Sequence, residues 1–150
     1  MKLPNPKKRL IAIVEIKKAI QQKLTQINPS SARELVEPLS LLLRHLLRDE
    51  NVEVYLESLN LLKFIVGNLA PHLSALDLHL MMGQFLTVIV SGQNTNMRAR
   101  VASDKVIVYF SKHTNIGSLV VAKEILKNIE RLNRSALQQP KPDETTEEKK

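Results

Sequence analysis

The chain has 150 residues, enough for one domain with its own core, and is 43% hydrophobic but only 3% aromatic, so Leu, Ile, Val and Ala supply most of the apolar weight. It carries 22 basic and 15 acidic residues, a net charge of +7, and no cysteine, which excludes disulfides, a thiol nucleophile and a cysteine-based metal site. No apolar run approaches the ~18 residues of a membrane-spanning helix, and Glu15 interrupts the basic N-terminal stretch where a secretory signal would be apolar. These features predict a soluble, intracellular protein.

In chain order, the short stretches "LPNP", "INPSS", "RDEN", "LAPH", "SGQNTN" and "KHTN" punctuate six segments of about 17–22 residues, each with helical spacing of its apolar residues. The first segment is basic: Lys2, Lys7, Lys8, Arg9, Lys17, Lys18 and Lys23 stand against Glu15 alone. It reads either as a solvated face or as an electrostatic footprint for an acidic partner. The second is predicted to start at Ser30 or Ser31 before "ARELVE" and to be kinked or split at Pro38. The third is the clearest helix. Val52, Leu56, Leu59, Leu62, Val66 and Leu69 recur at steps of three and four, and Leu61 and Ile65 add a second apolar side, so neighbours are expected on both.

Pro71 is expected to close the third helix and open the fourth. Asn51, and Asn94 or Asn96, are the predicted caps of the third and fifth. Within the fourth and fifth segments, "FLTVIV" and "VIVYF" favour strands on propensity, but each lies inside a longer helical period and is assigned to helix. Residues 135–150, "SALQQPKPDETTEEKK", lack apolar periodicity and read as a disordered polar tail following a domain over 1–134.

Residues 49–65 align with 94–110 at an offset of 45, matching Asn51 with Asn96, Ser58 with Ser103, and Val52, Leu56, Leu61, Leu62 and Phe64 with Met97, Val101, Val106, Ile107 and Tyr109. Two helices plus turns of that length are the period of HEAT and armadillo repeats, which predicts an all-α, right-handed solenoid of about six helices.

Chemistry-bearing motifs are sparse. His45, His72, His79 and His113 have no metal-binding spacing and read as helix-surface residues. No phosphate loop, nucleophile elbow or zinc-protease motif occurs, and "DENVE" and "DETTEE" lie in a turn and a tail, poor supports for a matched acid and base. No enzymatic activity, cofactor or metal is therefore expected. Met81, Met82 and Met97 read as core filling, and Ala99, Ala102 and Ser103 as small packing residues.

The segments "SLNLLKFI" (58–65) and "RARVAS" (98–103), each following a turn and a capping Asn, resemble the second-helix starts of HEAT repeats in TOG domains, the tubulin-binding arrays. The resemblance covers roughly residues 5–134. It implies that 30–48 with 51–70 and 72–90 with 96–113 are full repeats. Pro6 to Gln26 and Ser118 to Arg134 would then be single helices of incomplete repeats, as in a partial array.

The resemblance further implies that the turns Leu3–Arg9, Asp49–Val52 and Gly92–Arg98 form the partner-binding edge. Candidate contact residues on it are Lys7, Lys8, Arg9, Asn51, Asn96, Arg98 and Arg100. Pro6 stands where the family carries a tryptophan, so a large apolar anchor is missing there.

The family also pairs an acidic turn residue with an arginine six positions on. Asn94 and Arg100 hold that spacing, whereas Asp49 is followed by Tyr55. Arg100 is thus read as structural, also reaching Asp104 one turn on, and Arg98 as the partner contact.

The implied function is a monomeric, non-enzymatic module binding tubulin or another acidic cytoskeletal protein, at microtubules, centrosome or cilium, with no membrane contact. Two alternatives are a scaffold segment of a longer solenoid and a basic helical-repeat binder of nucleic acid. The latter has neither an aromatic platform nor a continuous basic stripe to support it.

Overall fold

Asparagine opens four of the helices. In the computed structural model, which describes residues 5–90 and 96–138, α1 (Pro6–Leu24) follows Asn5, whose side chain accepts from the Lys7 N–H at 2.9 Å. The N-cap of α2 (Pro29–Leu46) is Asn28 rather than Ser30 or Ser31. Pro29 takes the first helical position, where its missing N–H costs nothing, and Ser31 completes a reciprocal capping box with Asn28. Asn51 caps α3 (Val52–Leu69) by accepting from Val54 N–H at 3.1 Å, and Asn96 caps α5 (Met97–Lys112) by accepting from Arg98 N–H at 2.9 Å. The other proposed cap, Asn94, lies outside the described residues.

Between α3 and α4 (Ala75–Val90), Pro71 sits in a 3-10 turn, Ala70–His72. Ser74, not Pro71, opens α4: its hydroxyl accepts from Asp77 N–H at 3.1 Å and donates to the Asp77 carboxylate at 2.9 Å. The last helix, α6 (Gly117–Leu137), has no side-chain cap; its first residue is glycine at φ 80°, a conformation costly for any residue bearing a Cβ. It extends past Arg134 into the stretch read as tail, whose residues from 139 on lie outside the described part.

Both β-prone stretches are helical, because each belongs to a helix whose buried residues return at steps of three and four. Pro38 does not split α2. It lies on the exposed face, so the carbonyl that its ring leaves without an N–H partner can be solvated.

The helices pack in two rows. In one row α1 packs on α3 and α3 on α5; in the other α2 packs on α4 and α4 on α6, and α2–α3 and α5–α6 contacts join the rows. The central position of α3 explains its double apolar character: Leu62, Ile65, Val66 and Leu69 are fully buried. Each large aliphatic side chain so buried contributes about 1.5–3 kcal/mol. Met81 and Met82 fill the core as expected, but Met97 is 70% exposed, because it is the first residue of α5 and lies on the side away from α3. Ala99 and Ser103 are buried where α5 meets its neighbours, and Ala102 is half-buried.

Among the described residues there is no strand, and no helix is long and apolar enough to cross a membrane.

Candidate functional site

Interactions within the first row recur at fixed positions counted from each cap asparagine. Lys17 and Lys63 both lie twelve residues after their caps, Asn5 and Asn51. Phe64 and Tyr109 both lie thirteen after theirs, Asn51 and Asn96. The Lys17 ammonium stands over the Phe64 ring at 5.2 Å, and that of Lys63 over Tyr109 at 4.9 Å. Each helix thus places a cation on the aromatic of the next at the same register. Gly67 lies beside the second contact, where a Cβ would sit 3.3 Å from the Tyr109 hydroxyl, close enough that the ring would have to shift slightly.

The buried serines repeat as well. Ser58 donates to the Val54 carbonyl at 2.7 Å and its counterpart Ser103 to the Ala99 carbonyl at 2.9 Å. Tyr55 joins the two helices through a 2.6 Å hydrogen bond with Ser103. Burial pushes the Tyr55 phenol above its usual range, and the Ser103 hydrogen bond opposes that shift.

Near the N-termini, Arg9 of α1 meets Asp49 through Nε at 2.7 Å and Nη2 at 3.0 Å, with side chains only 17% and 10% exposed. Asp49 also accepts from Asn51 N–H at 2.9 Å, so this carboxylate fixes both the preceding helix and the next cap. One step along the row, Arg98 of α5 meets Glu53 of α3 at 2.9 Å, both well exposed at 67% and 58%. N-terminal residues therefore contact N-terminal residues, and C-terminal contact C-terminal, so α1, α3 and α5 run parallel. Their first turns share one edge of the molecule.

On that edge lie all seven candidate contact residues, in distinct states. Lys7, Lys8 and Arg100 are exposed. Arg98 is exposed and bridged to Glu53. Arg9 is engaged with Asp49, so its guanidinium builds the edge instead of projecting from it. Asn51 and Asn96 use their side-chain oxygens as caps. Among the described residues, no ion pair joins Arg100 to Asp104; Arg100 occupies the cap-relative position of Arg9, at the end of the row.

Counting Arg48, six cations lie on the edge against Asp49, Glu50 and Glu53, and three helix N-termini add partial positive charge. The arrangement suits an acidic surface and offers no matched acid and base. Among the described residues, no group of three His, Asp or Glu side chains is placed to hold a metal ion.

The carboxylates Asp49 and Glu53 were not among the candidates read from sequence. Glu53 was within reach, because the offset of 45 that pairs Asn51 with Asn96 also sets Glu53 opposite Arg98. On the other row, a groove of about 330 Å³ between α2 and α4 is lined by Arg33, Ser40, Leu41, Arg44, Asp77 and Leu80 among others. Ser40 Oγ and Arg44 Nε are buried there without a hydrogen-bond partner.

Set against protein-family models, curated proteins and solved structures, the chain matches none.

Proposed function

We propose that the chain is a HEAT-type α-solenoid module of the TOG kind. In this reading it binds tubulin, or another acidic cytoskeletal protein, through the edge formed by the first turns of α1, α3 and α5. Two observations support an array: the helices alternate between two rows, and the cation-on-ring contacts recur at identical cap-relative positions. The observation that carries the binding reading is the gathering of Lys7, Lys8, Arg98 and Arg100 on one edge, beside three helix N-termini. Arg9 serves this edge by positioning the α3 turn through Asp49.

Pro6 in place of an aromatic anchor makes the contact chiefly electrostatic, so the complex should weaken steeply as salt rises. Size-exclusion chromatography of the full chain with unpolymerised tubulin, and separately with duplex DNA, tests the proposal. Co-elution with tubulin alone is the expected result. Retention of DNA without tubulin would establish the nucleic-acid reading instead. A second reading, a scaffold segment of a longer solenoid, draws support from the uncovered outer face of α6, where Leu119, Leu126 and Ile129 are exposed.

A further inference from the structure

The groove between α2 and α4 carries polar atoms that the fold itself leaves unused. The two helices lie side by side in the second row, and Arg33 meets Asp77 at 3.9 Å near the start of both, so they run parallel. The groove holds about 330 Å³, at the small end of the roughly 300–1,000 Å³ typical of ligand pockets. Ser40 is 3% exposed, and its hydroxyl has no hydrogen-bond partner among the described residues. The Arg44 Nε–H, one turn further along α2, has none either. Nor does Arg44 form an ion pair among those residues.

Helix geometry does not account for the bare hydroxyl. Ser58 and Ser103, the other buried serines among the described residues, each donate to the carbonyl four residues back. The matching acceptor for Ser40 is the Val36 carbonyl, yet that bond is not made. Alanine would fill nearly the same space without stranding a hydroxyl, so a polar group here is costly unless something bonds to it.

The groove is polarised along its length. Its N-terminal end holds opposed charges, Arg33 and Asp77 with Glu37 beside them. Towards the C-terminal end Arg44 is the one charged lining residue among those described, with Ser40 on its own helix and Gln84 across on α4. Leu41 and Leu80, 53% and 58% exposed, form apolar lips. Guanidinium, hydroxyl and side-chain amide offer donors to a planar pair of oxygens, and the leucines suit a short apolar body. The nearby carboxylates of Glu37 and Asp77 disfavour a doubly charged phosphate.

We propose that the C-terminal half of this groove binds a small carboxylate with an apolar body. Its oxygens accept from the Arg44 guanidinium and from the Ser40 hydroxyl, while Leu41 and Leu80 cover the apolar part. The site belongs to the second row and rests neither on tubulin recognition nor on the edge of N-termini.

The test titrates the full isotope-labelled chain with isocaproate and follows amide signals by NMR. Saturable shifts at Ser40, Leu41 and Gln84 are expected. Isocaproamide, of the same shape without the charge, should bind at least about tenfold more weakly, as should acetate, which lacks the apolar body. Isoamylamine should not bind. Arg44→Gln should weaken isocaproate at least about tenfold, and Arg44→Lys and Ser40→Ala about threefold, with helical circular dichroism unchanged. The thermal midpoint of Ser40→Ala should not fall. Two sources of such a carboxylate are separated by a peptide arm. Preference for isocaproate assigns the site to free acids, whereas preference for N-acetylglycylleucine over both its amide and isocaproate assigns it to chain ends.

No saturable shift with either acid, equal binding of isocaproamide, or unchanged affinity in both Arg44 variants would each overturn the proposal. So would a lowered thermal midpoint in Ser40→Ala, which would show the hydroxyl to be bonded within the fold.

Discussion

Arg9 and Arg98 both hold a carboxylate from α3, yet solvent access makes the two pairs unequal. Arg9–Asp49 is largely buried, and Asp49 also orders the Asn51 cap. Asp49→Ala should therefore lower stability by about 2–3 kcal/mol in urea unfolding, mostly from stranding the guanidinium. Arg98–Glu53 is open to water, and Glu53→Ala should change stability by less than about 0.5 kcal/mol.

Tyr55 offers a pH-dependent check at the same scale. Its folded-state pKa is raised by burial, so its neutral form stabilises the fold fully below the unfolded value of ~10, and that contribution is lost as pH rises beyond it. Tyr55→Phe should cost about 1 kcal/mol at neutral pH through the lost Ser103 bond, and should unfold less steeply than the parent between pH 9 and about 11. A variant with the same alkaline slope as the parent would contradict the assignment.

At the scale of elements, helical periodicity was decisive wherever it conflicted with local propensity. "FLTVIV" and "VIVYF" are helical because the alternative would expose residues such as Phe85, Leu86 and Phe110, all fully buried. Pro38 leaves α2 unbroken for a related reason: its consequence depends on which face it occupies, and sequence alone does not show that face to be exposed. Pro38→Ala should restore one backbone hydrogen bond and raise stability by about 1–2 kcal/mol in thermal unfolding. A loss of stability would mean that the ring has a packing role.

Helix starts were legible where asparagine precedes an apolar period directly, as at Asn51 and Asn96. At α2 the intervening Pro29 and two serines drew the expected cap inward from Asn28. The candidate edge was partly legible. Its exposed cations follow from composition and spacing, but the engagement of Arg9 by Asp49, forty residues away, depends on how α1 and α3 stack.

For the molecule as a whole, the repeated register is the feature that connects sequence to assembly. The offset of 45 already contained the matched caps and serines. The cation-on-ring contacts were less visible, because they link Lys17 to Phe64 and Lys63 to Tyr109 across different steps of the row. This stacking gathers three N-termini on one edge and leaves apolar residues of α5 and α6 exposed on another side, two surfaces that meet at Arg100.

The proposed tubulin contact depends on the first of them, and one titration tests it most directly. The affinity of unpolymerised tubulin for the parent chain should be compared with that for the double variant Lys7→Glu, Arg98→Glu, with circular dichroism confirming that the helices persist. A loss of at least about tenfold, shrinking as ionic strength rises, is the predicted result. Unchanged affinity in a folded variant would contradict the edge as the binding surface.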